Sequence, residues 1–120
     1  NENEKVINKS YFQIIKSRKG IIRNIVKNSY LGCCMAFKKN LIVEVLPFPN
    51  NLYYHDIWIG LIGEIYGKVF FLDKPLILYR RHSNTMTIHP RISKNTLVYK
   101  IKMRLIIIIG LIRKYLITEK

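Results

Sequence analysis

Apolar residues recur in pairs through the first quarter of the chain, at Val6/Ile7, Tyr11/Phe12, Ile14/Ile15, Ile21/Ile22 and Ile25/Val26. The spacing is near helical and predicts helix over residues 5–28, which Gly20 divides in two. Lys9, Lys16, Arg18, Arg23 and Lys27 fill the polar positions between the pairs. Residues 30–37 are a short apolar run with small residues in it, which reads as a buried strand. Residues 40–46 predict a short helix with Asn40 as N-cap, and Pro47-Phe48-Pro49-Asn50-Asn51 a loop. From Ile57 to Tyr66 the chain is almost wholly apolar, so the pattern predicts a helix buried on most of its surface. Asp56 suits its N-cap, Gly60 and Gly63 permit close packing, and Gly67 is its stop. Val69–Leu72 and Leu76–Tyr79 read as strands around an Asp73-Lys74-Pro75 turn. Residues 92–118 read as helix from their length, although Lys100, Lys102 and Arg104 alternate with Ile101 and Met103 as in a strand.

This order of elements makes the expected fold class α/β, with few strands and an incomplete mixed sheet flanked by helices. Three segments follow: a helical one at 1–28, a central one at 29–90, and a basic and apolar helical one at 91–120. The 120 residues amount to one domain or part of one. The polar start at Asn1, with neither Met nor an apolar leader, reads as a piece of a longer chain.

Composition removes several function classes. Apolar residues at 49% are too many for a disordered basic tail. Two adjacent cysteines, Cys33 and Cys34, cannot frame a disulfide scaffold and read as reduced core residues. Neither a Cys-x-x-Cys nor a His-x-x-x-His spacing for structural zinc occurs. The longest uncharged apolar run near the C-terminus, Leu105–Ile112, is eight residues, against the roughly 20 a spanning helix needs.

The net charge is +14, and ten basic residues with no acidic one lie from Lys74 to Lys114. Such a run is read first as a solvated surface, then as attraction to anionic lipid or nucleic-acid phosphate. No helix-turn-helix, RNP or zinc-finger pattern points to specific nucleic-acid binding. The basic residues of 94–114 also do not gather on one helical face.

Only seven acids occur, and Glu44, Asp56, Glu64 and Asp73 are the internal ones. Asp56 alone follows a proline-rich loop and sits between His55 and Trp58, with Tyr79-Arg80-Arg81-His82 downstream. A carboxylate can take a proton from a hydroxyl, and an aromatic face packs on a sugar ring. Arginines grip a diphosphate through charge-assisted hydrogen bonds, and a histidine ligates a metal or donates to phosphate. Read without any such role, Asp56 is an N-cap worth about 1 kcal/mol, Trp58 is core, and His55 and His82 are structural.

Asn28-Ser29-Tyr30-Leu31-Gly32, Phe37, Leu46-Pro47-Phe48-Pro49, His55-Asp56-Ile57-Trp58-Ile59 and Pro75-Leu76-Ile77-Leu78-Tyr79-Arg80-Arg81-His82 occur in this order. Together they resemble the C-terminal half of a family 2 glycosyltransferase. The resemblance covers about residues 28–87 and implies the acceptor-side part of a GT-A nucleotide-diphospho-sugar transferase fold. It implies an inverting enzyme that moves a sugar from a nucleotide-diphosphate sugar donor to a saccharide or lipid-linked acceptor, as in cell-surface polysaccharide synthesis. On it, Asp56 is the catalytic base, Trp58 and its motif neighbour His55 lie on the acceptor side, and Arg80, Arg81 and His82 lie over the donor diphosphate. His82 would ligate a divalent metal, Mg or Mn.

Two departures stand out: Thr85, not Asn, lies three residues after His82, and the Gln-x-x-Arg-Trp of processive members is absent. The second implies single additions. The family's Asp-x-Asp metal motif is also missing, and with it the donor-binding half, so the 120 residues by themselves are expected to be inactive. The expected place is cytoplasmic, peripheral at the inner face of the cell membrane. The alternative reading is a non-enzymatic basic module docking on anionic membrane or nucleic acid.

Overall fold

The computed structural model describes residues 10–78 and 96–118. Five helices run through them: α1 (Tyr11–Ile15), α2 (Ile21–Val26), α3 (Leu41–Val45), α4 (His55–Tyr66) and α5 (Leu97–Thr118), with a 3-10 turn at Gly32–Cys34. The first helical segment is interrupted over residues 16–20 rather than at Gly20 alone. α1 stops at Lys16, which is left-handed, and α2 starts after Gly20, whose φ of +131° suits a residue without a Cβ. Residues 5–9 of the expected helix lie outside the described residues. The short helix after Asn40 is present as α3, although the Asn40 side chain makes no cap hydrogen bond. The C-terminal segment is helical, so length prevailed over its alternation of basic and apolar residues.

α4 is the centre of the molecule. Ile57, Trp58, Gly60, Leu61, Ile62 and Gly63 are all buried on it. One side packs Trp58 and Ile62 with Val45 of α3, among Leu41, Phe48 and Leu52. The other packs Ile57 and Leu61 with Ile107 of α5, beside Ile25 of α2. The indole N–H of Trp58 donates to the Val45 carbonyl at 2.9 Å, which satisfies a polar atom in a ring only 1% exposed. α5 closes over this core at Gly110, where a Cβ would stand 2.7 Å from Pro49 Cγ. Such a helix, apolar on nearly every side, is stable only when other elements cover it.

The expected α/β class is overturned. The described residues form helices and loops, with no strand and no sheet among them. Residues 30–37 do not run as a strand: Gly32–Cys34 curl into the 3-10 turn, and Cys33 and Cys34 are exposed rather than core. Residues 69–72 keep a strand-like alternation, with Val69 and Phe71 turned inward and Phe70 and Leu72 exposed. Phe71 packs against Phe12 and Tyr30, with ring centroids 6.1 Å and 5.5 Å away. A strand needs a neighbour to take up its N–H and C=O groups. No described segment lies alongside to supply one, so side-chain packing holds residues 69–72 without a ladder. Residues 76–78 likewise form no strand, and Tyr79 lies outside the described residues.

A polar network ties the N-terminal segment to α4. Asn24 is fully buried, and its amide donates to the carbonyls of Arg18 and Gly20 and to Glu64 Oε1, each at 3.0 Å. Its Oδ1 accepts from the Ser29 N–H at 2.9 Å. The Gly20 N–H donates to Glu64 Oε2 at 2.6 Å, and the Tyr30 hydroxyl donates to Glu64 Oε1. The Tyr30 ring fills the space over Gly60, where an added methyl group would overlap it. Replacing Gly60 by Ala is therefore expected to cost about 1–3 kcal/mol of stability through overpacking. Urea unfolding measures this, and an unchanged midpoint would show that Tyr30 does not sit there.

Candidate active site

Asp56 lies in the first turn of α4, two residues past the N-cap position expected for it, since Tyr54 is the N-cap. Its Oδ1 accepts the N–H of Ile57 at 2.8 Å. The Gly32 backbone and the Asn28 side chain also hydrogen-bond this carboxylate. Gly32 packs so close that its added Cβ would be 3.7 Å from the Asp56 Cβ. Asn28 is itself held: its Nδ2 donates to the Tyr30 carbonyl at 3.0 Å, and its Oδ1 accepts the Tyr30 N–H at 2.8 Å. Residues 28–32 thus form a bracket around Asp56, although 24 positions separate Gly32 from it. Burial pushes the Asp56 carboxyl above its ordinary value, and the hydrogen bonds from Ile57, Gly32 and Asn28 oppose that rise without cancelling it.

Beside the bracket is a cleft of about 350 Å³ between the end of α2, the start of α4 and the first half of α5. Asn28 and Ile57, both in contact with Asp56, are among its lining residues. Tyr54 and Tyr99 give it aromatic walls, and Lys27, Lys100 and Arg104 give it positive charge. Arg104 also braces it, donating to the carbonyls of Lys100 at 2.9 Å and Val26 at 2.5 Å.

The other expected site residues fall in three places. Trp58 is in the core, with its ring enclosed and its N–H committed to Val45, so in this arrangement it has no face for an acceptor. His55 is exposed at the start of α4, and its ring stands edge-on to Phe48 with centroids 5.0 Å apart. Arg80, Arg81 and His82 lie outside the described residues. Among the described residues no three His, Cys, Asp or Glu side chains gather around a point where a metal could sit. Asp56 is ringed by N–H groups, and Glu64 is engaged with Tyr30, Asn24 and Gly20. His82, on which the family resemblance places the divalent ion, lies outside the described residues.

Sequence reasoning missed the bracketing role of Asn28 and Gly32 and the aromatic, basic cleft. A signal for the network existed, since Glu64 is an acid in an otherwise apolar helix and such a group needs buried partners. No protein-family model matches the chain, and no curated protein and no solved structure does.

The raised carboxyl has a consequence for stability. A folded-state pKa above the unfolded one means that ionising Asp56 weakens the fold. The penalty is absent below the ordinary value of 3.8 and is complete once the pH passes the folded-state value. Asp56→Asn is therefore expected to unfold at a higher temperature than the parent at pH 7, with the gain vanishing as the pH falls below about 4. Thermal melts across pH check this, and a gain that persists in acid would assign it to packing instead.

Proposed function

We propose that this chain is the acceptor-side part of an inverting glycosyltransferase, with Asp56 as the base. The observation that carries this reading is the convergence of two separate sequence motifs on one carboxylate. Asn28 and Gly32 of the first motif hold Asp56 of the second, and its neighbours Asn28 and Ile57 line a cleft with aromatic walls and basic rims. An N-cap role does not account for this, since Tyr54 and not Asp56 is the N-cap of α4.

In this reading the acceptor saccharide lies in the cleft with a ring against Tyr54 or Tyr99. Its hydroxyl attacks the anomeric carbon of the donor from the face opposite the nucleotide diphosphate. The new oxygen–carbon bond forms as the bond to the diphosphate breaks, and the nucleotide diphosphate leaves with the electron pair. The hydroxyl proton passes to Asp56. A carboxylate raised by burial is a stronger base than an exposed one, and it is held in one orientation by its donors. Lys27, Lys100 and Arg104 suit an acceptor that itself carries phosphate.

The test uses the protein as its complete reading frame encodes it, assayed with nucleotide-diphosphate sugars and saccharide or lipid-linked acceptors. Asp56→Asn is expected to lower turnover by about 10²–10⁴-fold, with donor affinity nearly unchanged. Full turnover in that variant would remove Asp56 from the base role. Absence of transfer with any donor by the parent protein would remove the enzyme reading itself.

A further inference from the structure

α5 is apolar on two opposite sides, and among the described residues only one of them is covered. Met103, Ile107, Gly110 and Leu111 face the body of the protein. Val98, Ile101, Leu105, Ile109, Ile112 and Leu116 are 47–75% exposed. Their spacings of 3, 4, 4, 3 and 4 residues place them within an arc of about 80° on the helix, in a line about 27 Å long. Lys102 and Arg113, both exposed, lie along one margin of this line. The 22-residue helix carries five basic residues and no acidic one.

We infer that this outer face of α5 seats the protein on an anionic lipid surface, with the helix lying in the plane of the headgroups. Three features on the helix select that occupant. An apolar stripe edged by basic residues is the pattern of a helix that rests at a membrane interface. The charge is complementary to anionic headgroups, and the whole chain, at +14, adds to it. Packing of the inner face holds the helix formed beforehand, so binding pays little ordering cost. Tyr115, at 59% exposure beside the stripe, has the amphipathic ring favoured at headgroup level. The helix lies on the bilayer rather than through it, since among the described residues no helix is long and apolar enough to cross a membrane. A second copy of α5 fits less well. Face-to-face pairing would bring Lys102 and Arg113 near their counterparts, and neither helix has a carboxylate to offset them.

The seat does not depend on the transferase reading, and its test reads vesicle binding rather than activity. The full chain is floated with phosphatidylcholine vesicles, with and without about 30% phosphatidylserine. Binding to the anionic vesicles is expected to be at least about tenfold stronger, and to weaken as salt rises from about 0.1 M to about 0.5 M. Leu105→Glu with Ile109→Glu is expected to reduce it about tenfold or more, and Lys102→Gln with Arg113→Gln to reduce its preference for anionic lipid. The second pair keeps the stripe intact and serves should the first disturb the helix, which circular dichroism reports. Val43→Glu, on the exposed side of α3, is expected to leave binding unchanged. Equal binding to neutral and anionic vesicles would overturn the inference, as would full binding by both stripe and margin variants. A dimer in solution that Leu105→Glu dissolves, with no vesicle binding by the parent, would assign the face to a second copy and overturn it too.

Discussion

The Tyr30 ring occupies the space above Gly60, and much of the remaining structure is arranged around that seat. It requires a residue without a side chain on α4 and an acceptor for the hydroxyl one turn further on, which Glu64 supplies. A hydrogen bond to a charged group is worth about 1.5–3 kcal/mol, and a phenol buried without one would cost a similar amount. Burial, with Glu64 beside it, pushes the Tyr30 phenol well above its ordinary value, so it remains a donor. Asn24 completes the arrangement by joining the turn at Gly20, the Ser29 backbone and Glu64. Fully satisfied networks of this kind stiffen a core, whereas a half-satisfied one would be worse than an apolar replacement.

The geometry at Asp56 follows from this anchor. With Tyr30 held on α4, Asn28 and Gly32 on either side of it have little freedom, and both reach the Asp56 carboxylate. The first turn of a helix favours negative charge, so the carboxylate is tolerated there even though burial opposes it. Its position therefore costs some stability at neutral pH and leaves the carboxylate more basic than an exposed one. Trp58, two residues on, points the other way and anchors α4 to α3 through Val45. One short motif thus supplies a candidate reactive group and a core anchor from opposite sides of a single helical turn.

α5 explains the conflicting periodicity of its own sequence. A helix with one apolar face shows a clear 3.6-residue repeat. In α5, Met103 and Ile107 are apolar toward the core, and Ile101, Leu105 and Ile109 are apolar toward the outside. Basic residues are squeezed into the remaining angles, and over Lys100–Arg104 the result imitates the alternation of a strand. The same crowding hid the outer stripe, because basic residues scattered around a helix do not reveal which apolar side is covered.

From the sequence alone came the helices on either side of Gly20, the short helix after Asn40, the buried helix from Asp56 onward and the long C-terminal helix. Glycines and helical spacing act locally, so they are legible one segment at a time. The singular standing of Asp56 was legible as well, because acids are scarce in this chain. What only the tertiary structure decided was everything that depends on a neighbour. Residues 69–72 have the alternation of a strand and do not become one, because no described segment lies alongside to take their backbone hydrogen bonds. Trp58 is a core anchor rather than a surface ring because Val45 meets its N–H. Asn28 and Gly32 brace Asp56 only because Tyr30, held by Gly60 and Glu64, brings them across a gap that no local pattern records.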